Sequence, residues 1–253
     1  GSGLKGMARA FAETVWLPVQ QDKRDAKRII ADVFGTGSDN KNCKAGAVVF
    51  HDALPVRWPK LQVDITNCHY PQYYSGNEPP GDWMEPVPVY FPVVERGSVF
   101  KFAVSPTSLS NDRMIDLARI WLAGALEHLG AGAKTAAGYG CFEITNDEQL
   151  KGSSLKIWKG SADSSTYERY SVTLELATPA FLAGPNQEKA DCDLRSATMR
   201  GLLRWWWRKL HAGHISDEDL KKLEGAVWGN TEVSSPISIE IHGFNEKNPA
   251  LYD

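Results

Sequence analysis

Between Arg195 and Leu210 the chain reads RSATMRGLLRWWWRKL, and Arg195, Arg200, Arg204, Arg208 and Lys209 are its charged residues. Guanidinium groups bind oxyanions through charge and paired hydrogen bonds, so this stretch is built for phosphate or carboxylate. Arg200, Arg204 and Arg208 recur every four residues and stack along one face of a helix. Like charges at that spacing repel unless an anion sits among them. No Asp or Glu occurs between Arg195 and Ser216, so the anion comes from elsewhere. Two sources are open: a polyanion such as nucleic acid, or carboxylates contributed by the rest of the fold. Leu202, Leu203, Trp206 and Leu210 occupy the other faces and read as core. Trp205, Trp206 and Trp207 fan about 100° apart, so at least one is left to stack on a base or a neighbouring protein.

A second anion-directed stretch is the glycine-rich run GAGAKTAAGYG, residues 130–140. Its AKT triplet resembles a nucleotide-binding loop, but Ala133 and His128 stand where a Walker motif needs glycines. The run also follows a helix and precedes a strand, the reverse of the P-loop context, so ATP or GTP is not expected. Glycines let backbone N–H groups approach a ligand, and Lys134 and Thr135 add a charge and a hydroxyl. That chemistry suits a phosphodiester backbone read without sequence preference. Elsewhere the signals are thin. His51 and Asp52 are adjacent with no further partner in view, and His211 and His214 extend the positive face of the arginine helix. Cys43, Cys68, Cys141 and Cys192 form no C-x-x-C pair, so no metal site, disulfide framework or cofactor is expected.

The elements that carry these residues follow from periodicity and punctuation. Helices are predicted over Leu4–Trp16, ended or bent by Pro18, over Asp25–Val33, closed by Gly35, and from Asn111 or Asp112 to about Leu129. The arginine helix and a helix capped by Ser216 complete the set. Strands are predicted at Ala45–Phe50, Leu61–Ile65, Val99–Val104, Cys141–Ile144, Tyr170–Ala177 and Ile237–Ile241. Tyr70, Tyr73, Tyr74, Trp83 and Tyr90 lie among six prolines between Asn67 and Pro92, which predicts a long loop or irregular hairpin able to form a contact surface. Residues 146–167 are polar and read as a linker.

Two landmarks repeat. Leu4-Lys5-Gly6-Met7-Ala8-Arg9 matches Met199-Arg200-Gly201-Leu202-Leu203-Arg204, 195 residues on. Ala31-Asp32-Val33-Phe34-Gly35 matches Gly225-Ala226-Val227-Trp228-Gly229, 194 residues on. A spacing kept through both landmarks marks two homologous modules. The fold class expected is α+β, with two ferredoxin-like (RRM-like) modules, each incomplete in this chain: residues 1–145 lacking a first strand, and residues 168–253 lacking a second half. The whole chain, 253 residues with 42% apolar content and a formal charge of −3, is not generally basic, so polyanion binding must be local. No apolar run is long enough for a bilayer and no signal peptide is visible, which predicts a cytoplasmic protein without membrane contact.

The motifs GSGLKG and LGAGAKTAAGYG, with AGAVVFHDALP and DITNCHYPQYY between them, resemble RAMP proteins of the type III-B CRISPR (Cmr) effector, in the family of its sixth subunit. TPAFLAGPNQ, LRSATMRGLLRWWWRKL and the Trp-Gly landmark resemble the family of its first subunit, so the chain looks like a fusion of two RAMP parts or a piece of one. The resemblance implies an RNA-binding, non-catalytic part in antiviral defence, contacting guide and target RNA near the guide's 3′ end alongside other Cmr RAMP subunits. By position it implies that Lys5, Arg9, Lys134, Thr135, Arg195, Arg200, Arg204 and Arg208 hold RNA backbone. In slicing RAMP subunits an Asp of the loop before this helix supports metal-assisted cleavage, so Asp191 and Asp193 are the candidates for the alternative, an endoribonuclease.

Overall fold

A computed structural model of the chain describes residues 1–37, 43–145, 170–175, 177, 182, 184–186 and 194–241. These divide into two compact units that do not follow chain order: residues 1–58, 98–135 and 139–174 form one, and 59–97, 136–138 and 175–253 the other. The stretch 59–97 thus leaves its sequence neighbours and joins the second unit. The linker expected at 146–167 lies outside the described residues.

In the first unit, helix α1 (Ser2–Phe11) runs into a π-helical turn (Ala12–Trp16) and a 3-10 turn ending at Val19. The widening falls just before Pro18, which can donate no backbone hydrogen bond, and the Thr14 hydroxyl bonds the Ala10 carbonyl there at 2.6 Å. Helix α2 (Lys23–Phe34) starts at Asp22, whose carboxylate accepts from the amides of Arg24 and Asp25. It stops at Gly35, where φ is 83°. Strands β1 (Val48–Phe50), β2 (Leu54–Pro55), β5 (Phe100–Lys101) and β6 (Val104–Pro106) form two short antiparallel ribbons, β1 with β6 and β2 with β5. Helix α4 (Asp112–Gly124) is capped by the Asn111 side chain and widens into a π turn ending at Leu129. The core joins Phe11, Val15, Trp16, Ile30, Val33, Phe34, Phe50, Trp121 and Leu126. The Trp121 ring meets Trp16 edge-on at 4.9 Å and stacks on Phe34 at 5.6 Å. Gly124 is required where α1 and α4 cross: a Cβ there would lie 2.3 Å from the Phe11 ring.

In the second unit, β3 (Leu61–Cys68) pairs antiparallel with β4 (Val87–Val94) over eight residues, and α3 (Pro71–Ser75) follows β3. The stretch 67–92, expected as a loop or irregular hairpin, is a hairpin: its two ends belong to the β3–β4 ribbon, and the connection between them carries the helical turn α3 within irregular chain. Helix α5 (Ser196–His211) holds the arginines, and α6 (Asp217–Trp228) begins at the Ser216 cap and ends at Gly229.

Four expectations fail. Tyr170–Leu174 and Ile237–Ile241 are irregular, and Tyr170, Val172 and Leu174 are exposed, because no strand among the described residues pairs with them. Cys141–Ile144 is likewise irregular. Leu202, Leu203, Trp206 and Leu210 are exposed rather than core, since α5 packs through its arginine side instead. The molecule is α+β. Among the described residues its strands form three two-stranded ribbons.

Candidate nucleic-acid interface

The arginine side of α5 faces inward, and its counter-charges come from its own unit. Glu224 on α6 is 1% exposed and Arg208 5%. One Glu224 oxygen accepts from Arg208 Nη1 at 2.8 Å, from Arg204 Nε and from the Tyr74 hydroxyl; the other accepts from the Tyr73 hydroxyl at 2.8 Å. The Arg208 guanidinium also donates to the Tyr74 hydroxyl at 3.0 Å and lies over the Tyr70 ring at 4.5 Å, while Arg204 lies over Tyr74 at 4.7 Å. The anion demanded by the like charges of Arg204 and Arg208, one turn apart, is thus a buried glutamate.

The two remaining arginines are also engaged. Arg195 reaches from the start of α5 to Asp64 on β3, at 2.5 Å. Arg200 donates to the carbonyls of Ala136 and Ile237, each at 3.0 Å, and to that of Trp228 at the end of α6. A cation there satisfies the open carbonyls of a helix C-terminus.

These surroundings shift titrations. Burial and then the hydrogen bond to Glu224 push the Tyr73 phenol well above the usual tyrosine range, and burial raises Tyr74 too. Burial opposes charge on Arg208, but Tyr74 and Glu224 outweigh it and hold the guanidinium above its ordinary value. Arg200 is lowered by burial and by Arg204.

The basic residues of the first unit are differently placed. Arg9 is exposed and pairs at 2.8 Å with Glu13, one turn on in the π-helical turn that follows α1. Lys5, one turn earlier, has no ion-pair partner among the described residues. Lys134 is exposed and holds a left-handed backbone, φ 61°, in a loop where Gly130, Gly132, Gly138 and Gly140 also have positive φ. Gly140 is obligatory, because a Cβ would lie 2.0 Å from the Ala131 carbonyl oxygen. Thr135 is half-buried beside Lys134. Of the predicted site residues, the structure gathers Arg195, Arg200, Arg204 and Arg208 in the second unit, and Lys5, Arg9, Lys134 and Thr135 in the first. Asp191 and Asp193 lie outside the described residues. Trp206 is the outward member of the tryptophan run, and Trp207 stacks on His211 at 4.3 Å.

The repeat explains the difference between the units. Asp22 and Ser216, 194 residues apart, cap α2 and α6, and Gly35 and Gly229 end them with matching conformations, φ 83° and 76°. At the same spacing Ile30 stands where Glu224 does, and at 195, the spacing of the match between α1 and α5, Glu13 stands where Arg208 does. Lacking a buried acid on α2, Arg9 turns to the surface. Glu224 had a sequence signal: it lies between Leu220 and Trp228, each one turn away, at a core position of α6. An acid there must find buried donors.

The RAMP superfamily profile matches residues 1–143 and 173–250, well over half of the chain. The chain belongs to the RAMP superfamily. It is 38% identical over 118 residues to the CRISPR system Cmr subunit Cmr6 of Pyrococcus furiosus, a match covering 43% of this chain and 32% of that protein. It is 30% identical over 81 residues to Cmr subunit Cmr1-2 of the same organism, covering 31% of this chain and 42% of the relative. Cmr1-1 of that organism matches at 30% identity over 69 residues, 22% of this chain and 20% of the relative. The chain therefore spans less than half the length of these curated relatives. The crystal structure of Cmr6 from Pyrococcus furiosus aligns with a TM-score of 0.33 at 27% identity, covering 57% of this chain and 81% of that one. Among the described residues no helix is long and apolar enough to cross a membrane.

Proposed function

We propose that this RAMP protein is a component of a type III-B CRISPR effector in the cytoplasm, working beside other Cmr subunits. In this reading it is a non-catalytic part that holds guide and target RNA by their backbones near the guide's 3′ end. Both modules are taken as ferredoxin-like RAMP halves, which the shared caps and helix ends support. Similarity to Cmr6 and to Cmr1 subunits within one chain supports the place in the complex.

The observation that carries RNA contact is the repeated pair Lys5-Gly6 and Arg200-Gly201. Both glycines lie on exposed turns of their helices, and a Cβ at either would meet nothing within 4 Å. Glycine inside a helix costs stability, and here no neighbour in the fold requires it. A bare backbone beside a cation suits close approach of a sugar-phosphate chain. Lys5, Arg9, Lys134 and Thr135 are then the backbone contacts of the first unit. On α5, Arg200 has carbonyl partners and Arg195, Arg204 and Arg208 have carboxylate partners, so their share in RNA contact requires those partners to be shared.

The test is a mobility-shift titration of the full chain with two unrelated guide-length RNAs over a salt series. Lys5→Ala, Arg9→Ala and Lys134→Ala should each weaken both RNAs alike and reduce the log–log salt slope by about 0.7 per lost contact on single-stranded RNA. Unchanged affinity and slope in the triple variant would overturn the proposal.

A further inference from the structure

The glycine-rich run 130–140 is closed at its base, where the amide of Ala131 bonds the Gly140 carbonyl at 2.8 Å. Within it Lys134 keeps a left-handed backbone, φ 61°, which a residue bearing a Cβ holds only where its surroundings impose it. The segment that follows, residues 136–138, belongs to the same unit as α5.

Two residues of α5, one turn apart, meet that segment. Gly138, with φ 87°, lies so close to Ser196 that a Cβ would come within 2.5 Å of the Ser196 Cβ. Arg200 Nη1 donates to the Ala136 carbonyl at 3.0 Å. The same guanidinium donates to the carbonyls of Ile237 and Trp228. Arg195, Arg204 and Arg208 each hold a carboxylate, whereas all three acceptors of Arg200 are backbone oxygens. A planar guanidinium with donors in fixed directions can tie three diverging carbonyls. An ammonium on a flexible stem carries the same charge without that geometry. Lys5, the repeat partner of Arg200, makes no side-chain hydrogen bond among the described residues, and there a lysine suffices. The chemistry at Arg200 is bracing of backbone, not neutralisation of charge.

We infer that Arg200 is a positioning residue for the glycine-rich loop. It holds residues 136–138 on α5 and so fixes the turn that presents Lys134 and Thr135. The inference rests on the reading of Lys134 and Thr135 as RNA backbone contacts, and it assigns Arg200 to the loop rather than to a phosphate.

Amide hydrogen exchange on the full chain without RNA tests the anchor. Arg200→Ala, and equally Arg200→Lys, should speed exchange within residues 130–140 about tenfold while α1 and α4 exchange as in the parent. Mobility shifts with two unrelated guide-length RNAs test the consequence. Arg200→Lys should weaken binding as much as Lys134→Ala does, although it keeps the charge. In the Lys134→Ala background it should cost no more than about twofold further, and in the Lys5→Ala background its full effect should persist. Loop exchange at the parent's rate overturns the proposal. So does parent-like affinity in Arg200→Lys, the mark of a direct phosphate contact, and so do additive losses with Lys134→Ala. A parent that binds neither RNA overturns the RNA reading, and the exchange rates then decide the anchor. Should the Arg200 variants fail to fold, Gly138→Ala crowds Ser196 from the loop's side and must speed the same amides. Parent-like exchange in that variant overturns the proposal.

Discussion

At the scale of single residues, the second unit turns on a carboxylate rather than on the arginines that dominate its sequence. Removing one partner from a buried pair costs far more than the pair contributes, because the remaining charge is stranded. Glu224 and Arg208 are in that position, and the tyrosine hydroxyls complete the shell. The raised Tyr73 phenol has a consequence at high pH. Its folded form keeps the proton to a higher pH than the unfolded chain, which loses it near pH ~10. Below that pH the stabilisation is complete. Above it the unfolded state binds fewer protons, and stability falls as pH rises. Thermal melts of the parent at intervals from pH 8 to pH 11 should therefore show a steepening loss above about pH 10. Lysines also titrate there, so Tyr73→Phe is the control. Its curve should start lower and fall less steeply, and parallel curves would show that Tyr73 is not the group responsible.

At the scale of elements, the boundaries were largely legible and the partners were not. Asn111 and Ser216 announce two helix starts, and Gly35 one end, because caps act within a few residues; the Asp22 cap, three residues before the expected start at Asp25, and the end at Gly229 were not read. The partner of α5 was hidden because Tyr73 lies 151 residues from Glu224 in sequence. Leu202, Leu203, Trp206 and Leu210 have the spacing of a core stripe, yet the arginine side is the one that packs. Charge pattern gave the need for an anion but not its source. Proline content also misled at Pro88 and Pro92. The amide of Glu95 bonds the Lys60 carbonyl at 2.9 Å, so every second residue of β4 back from it faces β3. Pro88 and Pro92 fall on the alternate, outward positions, where a missing donor leaves the ladder intact and blocks strand addition at that edge. The repeated glycines give a prediction at this scale. Gly6→Ala and Gly201→Ala place a methyl in open space on a helix. Each should raise stability by about 0.5–1 kcal/mol in denaturant titrations. If RNA backbone approaches these turns, the same variants should bind RNA more weakly despite being more stable. Gains in both stability and affinity would show that no ligand uses the bare backbone.

At the scale of the whole molecule, a chain of net charge −3 must confine polyanion binding to local sites, and holding RNA differs from cutting it. Metal-assisted hydrolysis needs carboxylates to fix a divalent ion against the scissile phosphate, and it must activate water in line with the leaving oxygen. Asp191 and Asp193, two residues apart shortly before α5, are the acids with that opportunity in the sequence. Backbone contacts through Lys5, Arg9 and Lys134 need no such arrangement, since charge and open backbone suffice. The non-catalytic reading therefore predicts that guide-length RNA and its complement, incubated with the full chain and Mg²⁺, stay intact over hours at a concentration that shifts them fully. Asp191→Ala and Asp193→Ala should leave that outcome and the affinity unchanged. Mg²⁺-dependent fragments at fixed positions, lost in either variant while binding persists, would make the chain an endoribonuclease. Fragments that persist in both variants would point to a contaminating nuclease, because the proposed acids are then dispensable.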